Sequence, residues 1–200
     1  PAVWTPEEPN IYTSKTKIYE GDILKDEVLS TFGVRTIEIR PDEGFFLNGQ
    51  KTVFKGVCNH HDLGPLGAIA NEAGIRRQVR MLKDMGCNAI RTTHNTASRV
   101  VIEICNELGM LVMEEFFDGW DASKNNNYND FSKYFNEVID SSNALIGAKG
   151  QKWFEFVVEQ TILRDRHAPC IIAWDVGNEL GNITDGESTA NYEAIAQSIV

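Results

Sequence analysis

Residues 88–115 read NAIRTTHNTASRVVIEICNELGMLVMEE, and this stretch decides the fold class. A short apolar run, Asn88–Arg91, gives way to a segment in which Val101, Ile104, Cys105 and Leu108 recur at helical spacing over about Ala97–Leu108, with Gly109 as the stop. Met110–Glu114 returns to a short apolar run, so the order is strand, helix, strand. The alternation extends both ways. Upstream, Val53–Val57 reads as a strand and about Ala73–Met85 as a helix, with Ile75, Val79 and Leu82 on one face, Arg76, Arg77, Arg80 and Lys83 outside, and Gly86 at its end. Downstream, a helix over about Gln151–Arg166 ends before Pro169, Cys170–Gly177 (CIIAWDVG) is a fourth strand, and Ser188-Thr189 is placed to cap a helix running to Val200. Strands that are apolar throughout, without period-two alternation, suit a parallel sheet covered on both faces. Alternating β and α units give an α/β fold.

Before residue 53 the pattern differs. Residues 1–40 read as β: Ile11–Ile18 mixes β-branched, aromatic and Lys residues, Glu20-Gly21-Asp22 is a turn, and Val34–Ile39 (VRTIEI) puts Ile37 and Ile39 on one face. Pro41-Asp42-Glu43-Gly44 is a turn and a candidate boundary, and Asn48-Gly49 between apolar runs is a strong hairpin signal. Two or three strands do not make an independent domain, and four βα units do not fill a (β/α)₈ barrel, which takes about 250 residues. The expectation is therefore a fragment: residues 1–40 as the C-terminal part of a β-sandwich domain and residues 41–200 as the first half of a barrel. A small, complete doubly wound sheet is the competing reading. Against it, no GxGxxG or phosphate loop follows the first strand.

Composition narrows the function classes. The chain has 200 residues, 19 Lys plus Arg and 29 Asp plus Glu, hence a net charge of −10, with 42% hydrophobic residues. This is globular composition, and the acidic balance argues against a nucleic-acid partner. No run of about 18 apolar residues occurs, so no membrane span or membrane partner is expected, and PAVWTPEEPN has neither the basic nor the apolar region of a signal peptide. Cys58, Cys87, Cys105 and Cys170 stand singly in apolar segments and read as buried thiols; the redox compartment and the localisation stay open.

The residues able to do chemistry cluster just after the strands: His60 and His61 after the first, Arg91 to His94 at the second, Glu114, Glu115 and Asp118 at the third, Asn178 and Glu179 at the fourth. In a barrel these positions share the carboxyl face, where active sites are built. Glu179 follows a buried strand and is expected to sit against Trp174. Burial there would disfavour the charged form, which suits a general acid. A helix N-terminal Glu bonded to backbone amides is the plain structural alternative.

Here a resemblance becomes specific. Trp174-Asp175-Val176-Gly177-Asn178-Glu179 resembles the W-S-x-G-N-E strand end of glycoside hydrolase family 2. Phe54-Lys55-Gly56-Val57 with His60-His61-Asp62 is similar to that family's K-G-V-N-x-H segment, Asn88–Asn95 to N-A-I/V-R-T-S-H, Glu107–Glu115 to E-L-G-x-x-V-x-D-E, and Arg164–Pro169 to R-D-R-N-H-P. Trp4-Thr5-Pro6-Glu7 with Pro9, Asn10 and Tyr12 is similar to the W-S-P-x-x-P-x-L-Y of its immunoglobulin-like domain, and Phe32–Arg35 and Phe46–Gly49 fit the domain junction. The matches cover most of the chain in the right order.

The resemblance implies a TIM barrel preceded by part of an immunoglobulin-like sandwich, and retaining hydrolysis of a β-linked oligosaccharide or glycoside by two carboxylates. It makes Glu179 the acid/base and Asn178 the partner of the sugar 2-hydroxyl. His60 and His94 are implied to contact hydroxyls or orient neighbours, Arg91 to hold the acidic cluster, and Glu115 to orient. The nucleophile is implied to follow a later strand, beyond residue 200, so the chain alone is expected to be inactive. Trp120 and Trp174 are candidate stacking platforms, with core packing favoured for Trp174. The Asn59–Gly64 segment with Gly67-Ala68 is similar to β-galactosidases; β-glucuronidase and β-mannosidase remain as alternatives, and a noncatalytic carbohydrate-binding or scaffold protein is the second functional class. Three departures stand out: Asp175 for Ser, Glu114 for Asp, and Thr96-Ala97 where prolines are common. The Glu-x-His metal motif of some relatives is absent, since Glu115 leads into Phe116-Phe117-Asp118-Gly119, so neither a catalytic metal nor another cofactor is expected. Exposed edges of a half-barrel are expected to promote association.

Overall fold

The computed structural model describes residues 1–119, 121, 123–124, 127, 129–140, 148–179 and 193. The expected helix from Ser188 to Val200 lies outside the described residues except for Glu193, and Trp120 and Asn125-Asn126 lie outside them.

The N-terminal part is antiparallel. β1 (Tyr12–Glu20) and β2 (Ile23–Phe32) form a hairpin. β3 (Ile37–Arg40), β4 (Gly44–Leu47) and β5 (Gln50–Lys51) form a three-stranded sheet. Asn48 (φ 51°) and Gly49 (φ 77°) are both left-handed, as the tight turn between β4 and β5 requires. Because β3 pairs with β4, residues on either side of position 40 share one sheet. The apolar face expected over residues 34–39 is only half covered: Ile37 packs on the core, while Ile39 is 75% exposed.

The second part is the α/β unit. β6 (Gly56–His60), β7 (Ala89–Thr93), β8 (Leu111–Glu115) and β9 (Ile171–Asp175) form a parallel sheet in the order β6-β7-β8-β9. The connections carry α1 (Glu72–Asp84), α2 (Arg99–Leu108), the short α3 (Ser132–Phe135) and α4 (Trp153–Asp165). Asn71 caps α1 by accepting the Gly74 amide at 2.9 Å, and Gly109 ends α2 at φ 72°. The apolar faces of α1 (Ile75, Val79) and α2 (Val101, Ile102, Ile104, Cys105) join Ala89, Ile90, Leu111, Val112 and Ile171 of the sheet in one core. Phe154 and Val158 of α4 build a second core with Phe116, Phe117 and Phe135.

Most element boundaries shift by a residue or two from the sequence reading, and two of the shifts have a visible cause. The first strand runs Gly56–His60, not Val53–Val57. The Asn88 side chain accepts the Lys55 amide at 2.8 Å and donates to the Val53 carbonyl at 3.0 Å, so these residues are held by a side chain and the ladder starts at Gly56. A Cβ on Gly56 would stand 2.0 Å from the Ala89 carbonyl oxygen, so only glycine allows that approach. The helix expected from Ala97 begins at Arg99, because the buried Ala97 gives its carbonyl to Arg164 at 2.8 Å. The cysteines are free thiols: Cys105 and Cys170 are buried as expected, whereas Cys87 is only half-buried and Cys58 is exposed, against the expectation of four buried thiols.

The leading segment is tied into the barrel part. Trp4 is fully buried in the main core and donates its indole N–H to the Asn106 carbonyl at 2.9 Å. Lys83 donates to the carbonyls of Pro6 at 2.7 Å and Gly109 at 3.0 Å, and Arg35 reaches the carbonyls of Pro169 and Ile171 just before and within β9. No helix among the described residues is long and apolar enough to cross a membrane.

Candidate active site

The carboxyl ends of β6–β9 bring their polar residues together around Arg91. From β7, its Nη2 donates to Glu115 Oε1 of β8 at 3.1 Å and to Asn178 Oδ1 at 3.2 Å, and its Nε donates to Asp175 Oδ2 of β9 at 3.3 Å. One guanidinium thus links two neighbouring strands and the loop after β9. Alternate residues of a strand share a face, and Glu115 and Asp175 are register partners, which puts both carboxylates on the Arg91 side.

Glu115 is fully buried. Burial pushes its carboxyl above the usual carboxylate range; the His94 hydrogen bond and Arg91 oppose this, and Asp175 adds to the push. Its backbone amide donates to Thr92 Oγ1 at 3.0 Å. His94 Nδ1 lies 3.1 and 3.2 Å from the two Glu115 oxygens. An ionised Glu115 requires Nδ1 to carry the proton, which leaves Nε2 for a further partner. His60 packs edge-on against His94, with ring centroids 5.4 Å apart at 85°. His60 is the last residue of β6 rather than the third residue beyond a strand, and it is exposed.

Beyond Asn178 the network continues outward. Asn178 Nδ2 donates to Asp118 Oδ1 at 3.3 Å, and Lys124 Nζ stands 3.0 Å from the same oxygen and 3.4 Å from Glu179 Oε2. Partial burial works to raise the Asp118 carboxyl, but the hydrogen bonds from Lys124 and Asn178 hold it below its ordinary value.

The buried setting expected for Glu179 is not found. Its side chain is 78% exposed, it adopts φ 51°, and its partner is Lys124. β9 ends at Asp175, so Glu179 stands on the loop beyond the strand instead of against it. Trp174 points elsewhere, stacking on Phe116 with centroids 5.8 Å apart at 9°, in the core where it was favoured.

The structure therefore brings together Arg91, His94, Glu115, Asn178 and, through His94, His60; Glu179 joins through Lys124 and Asp118. Trp120 lies outside the described residues. Asp175, a departure from the family pattern, is a direct Arg91 partner. Strand-end parity with Glu115 could have shown this. Lys124 carries no such signal, because only the path of its loop brings it to Glu179. Glu114 faces away, toward α4: it is fully buried, its Oε1 lies 3.4 Å from Arg164 Nη2, and its Oε2 has no partner. Burial, then Asp165, push it up to about 8, against Arg164 and the Ala97 amide. Among the described residues no group of three or more His, Cys, Asp or Glu side chains is arranged to hold a metal ion.

Comparison with known proteins agrees with this architecture. The family model described as glycosyl hydrolases family 2, TIM barrel domain, matches residues 37–199. A putative beta-glucuronidase of Formosa agariphila is 39% identical over 179 residues, covering 90% of this chain and 16% of that protein. A beta-galactosidase of Bacteroides ovatus is 37% identical over 180 residues, covering 90% of this chain and 19% of that protein. The crystal structure of a beta-glycosidase from Bacteroides vulgatus superposes with a TM-score of 0.85 at 34% identity, covering 100% of this chain and 24% of that one. The chain thus spans under a fifth of the length of these two curated relatives. With its parallel βα units, its polar strand ends and a family match over most of its length, the chain belongs to glycosyl hydrolases family 2.

Proposed function

We propose that this chain supplies the acid/base half of the active site of an enzyme that hydrolyses β-glycosides with retention, β-galactosides being the substrate. The observation that carries the reading is the Arg91 cluster. A single cation orders Glu115, Asp175 and Asn178 at the strand ends, with Glu179 one residue beyond Asn178. In the proposed roles, Glu179 protonates the leaving-group oxygen and then activates water. Asn178, fixed by Arg91 and Asp118, meets the sugar 2-hydroxyl. His94 Nε2, His60 and Trp120 contact the sugar, and Glu115 orients His94 and Arg91. The nucleophile is a carboxylate outside these 200 residues. In support, the described carboxylates nearest Glu179 are already engaged, Glu115 and Asp175 by Arg91 and Asp118 by Lys124 and Asn178. Residues 1–40 are proposed as the C-terminal part of an immunoglobulin-like domain, and residues 41–200 as the first half of the barrel.

A β-glucuronoside substrate is the second reading, favoured by the 39% identity to a putative beta-glucuronidase beside 37% to a beta-galactosidase. The test compares aryl β-galactoside, β-glucuronoside and β-mannoside as substrates of the full-length protein and of the 200-residue chain. Preferred turnover of the galactoside by the full-length protein alone is expected. Preference for the glucuronoside would replace the substrate, and turnover by the chain alone would show that it contains its own nucleophile.

A further inference from the structure

A cavity of about 330 Å³ is walled in part by Lys124, the ion-pair partner of Glu179. It lies between the loop after β8 and α3, and its walls include Asn95, Asp118, Lys124, Asn129, Asp130 and Phe131. Its size falls at the lower end of the range of small-molecule sites, about 300–1,000 Å³. Two contacts locate it relative to the chemistry. Lys124, in its wall, reaches Glu179 Oε2 at 3.4 Å, and Asp118, also in its wall, accepts from Asn178 Nδ2 at 3.3 Å. Asn178 turns its other side, Oδ1, to Arg91 at 3.2 Å. Asn178 therefore joins the Arg91 cluster to the cavity wall at Asp118, and Glu179 contacts the same wall through Lys124.

A general acid delivers its proton to the oxygen of the departing group, so that group lies on the acid's side of the cleaved bond. Resting on the assignment of Glu179 above, we infer that this cavity receives the leaving-group sugar and takes it as a neutral hexose rather than a uronate or sulfated sugar. The walls suit a polyol. Asn95 and Asn129 offer both donors and acceptors. Phe131, stacked on Phe117 with centroids 5.5 Å apart, adds an aromatic surface for a pyranose C–H face. The charge pattern selects against an anion. Among the described lining residues Lys124 is the one cation, it is already paired with Asp118 at 3.0 Å, and Asp130 adds a second negative charge. An incoming carboxylate would meet like charge and no unpaired cation, which disfavours it.

The test uses the full-length protein and three substrates: a β-glycosyl fluoride, whose departing fluoride needs neither a sugar subsite nor a proton; a β-linked disaccharide with a neutral hexose as leaving group; and its counterpart with a uronate there. The exposed Asn129 is changed to Trp, to fill the cavity, and to Lys, to add a cation. For Asn129→Trp, the ratio of kcat/KM on the neutral disaccharide to kcat/KM on the fluoride should fall about tenfold or more. For Asn129→Lys, the uronate-to-hexose ratio should rise several-fold. Fluoride turnover reports that each variant is folded. Ratios unmoved in both variants would overturn this inference while leaving the glycosidase reading intact, and a wild-type preference for the uronate leaving group would overturn its charge argument. No turnover of any of the three by the wild type would overturn both.

Discussion

Glu114→Gln should make the protein's stability less sensitive to alkali, and the size of the effect follows from where Glu114 sits. Its carboxyl is fully buried, Oε2 has no partner, and the nearest cation, Arg164, is shared with Asp165, which it contacts more closely. These surroundings push the group up to about 8 from an unfolded value near 4.5. A folded value above the unfolded one means that folding takes up a proton between the two. The stability tied to this group is therefore complete below about pH 4.5, declines as pH rises, and levels off above about pH 8. At about 1.4 kcal/mol per unit, the full span is at most about 5 kcal/mol, and local relaxation will reduce it. Glutamine keeps the shape and stays neutral throughout. It places an amide where Oε2 lacked a partner, a cost that does not vary with pH. The readout is thus the slope: urea midpoints of wild type and variant, followed by tryptophan fluorescence from pH 5 to 8.5, should diverge in the variant's favour by about 2 kcal/mol or more toward the alkaline end. Parallel curves would refute the argument and show that Glu114 is ionised and accommodated in the folded protein.

Other consequences follow from the same contacts. Arg91→Met leaves the buried Glu115 and the neighbouring Asp175 uncompensated and frees Asn178. It should destabilise by about 2–4 kcal/mol, less than a fully buried pair because Arg91 is 26% exposed, and should lower kcat more than it raises KM; thermal melts and steady-state kinetics check both. Trp4→Ala removes a fully buried indole and its bond to Asn106, and should cost about 3–5 kcal/mol in chemical denaturation. The β1–β2 hairpin exposes Ile18, Ile23, Val28 and Leu29, and the 200-residue chain should associate in light scattering, with Leu29→Lys reducing it.

The elements legible in the sequence are those whose signals are local. Asn48-Gly49 marks its turn because two adjacent left-handed residues are needed there, and the helix faces led by Ile75 and Val101 follow from periodicity alone. The convergence of His60, Arg91, His94, Glu115 and Asn178 was legible because each stands at or just beyond the end of a parallel strand, and such ends come together whatever the loops do. What failed was set by distant partners. The Asn88 side chain displaces the first strand from Val53 to Gly56, across a gap that no local pattern reports. The exposure of Glu179 depends on β9 ending at Asp175 and on Lys124 arriving from another loop. Trp4 and Arg35 were read with the leading β segment, yet their bonds go to Asn106, Pro169 and Ile171, contacts that only the folded chain defines.

The assignment of Glu179 as the acid/base is the centre of the account, and Glu179→Gln in the full-length protein tests it most directly. Gln keeps the size and hydrogen-bonding reach of the side chain while removing its proton transfer, a step worth about 10²–10⁴ in rate. A loss of that order is expected on an alkyl β-galactoside, and a much smaller loss on an aryl galactoside with a good leaving group, which departs with little help from an acid. Unchanged turnover of the alkyl galactoside by the variant would contradict it.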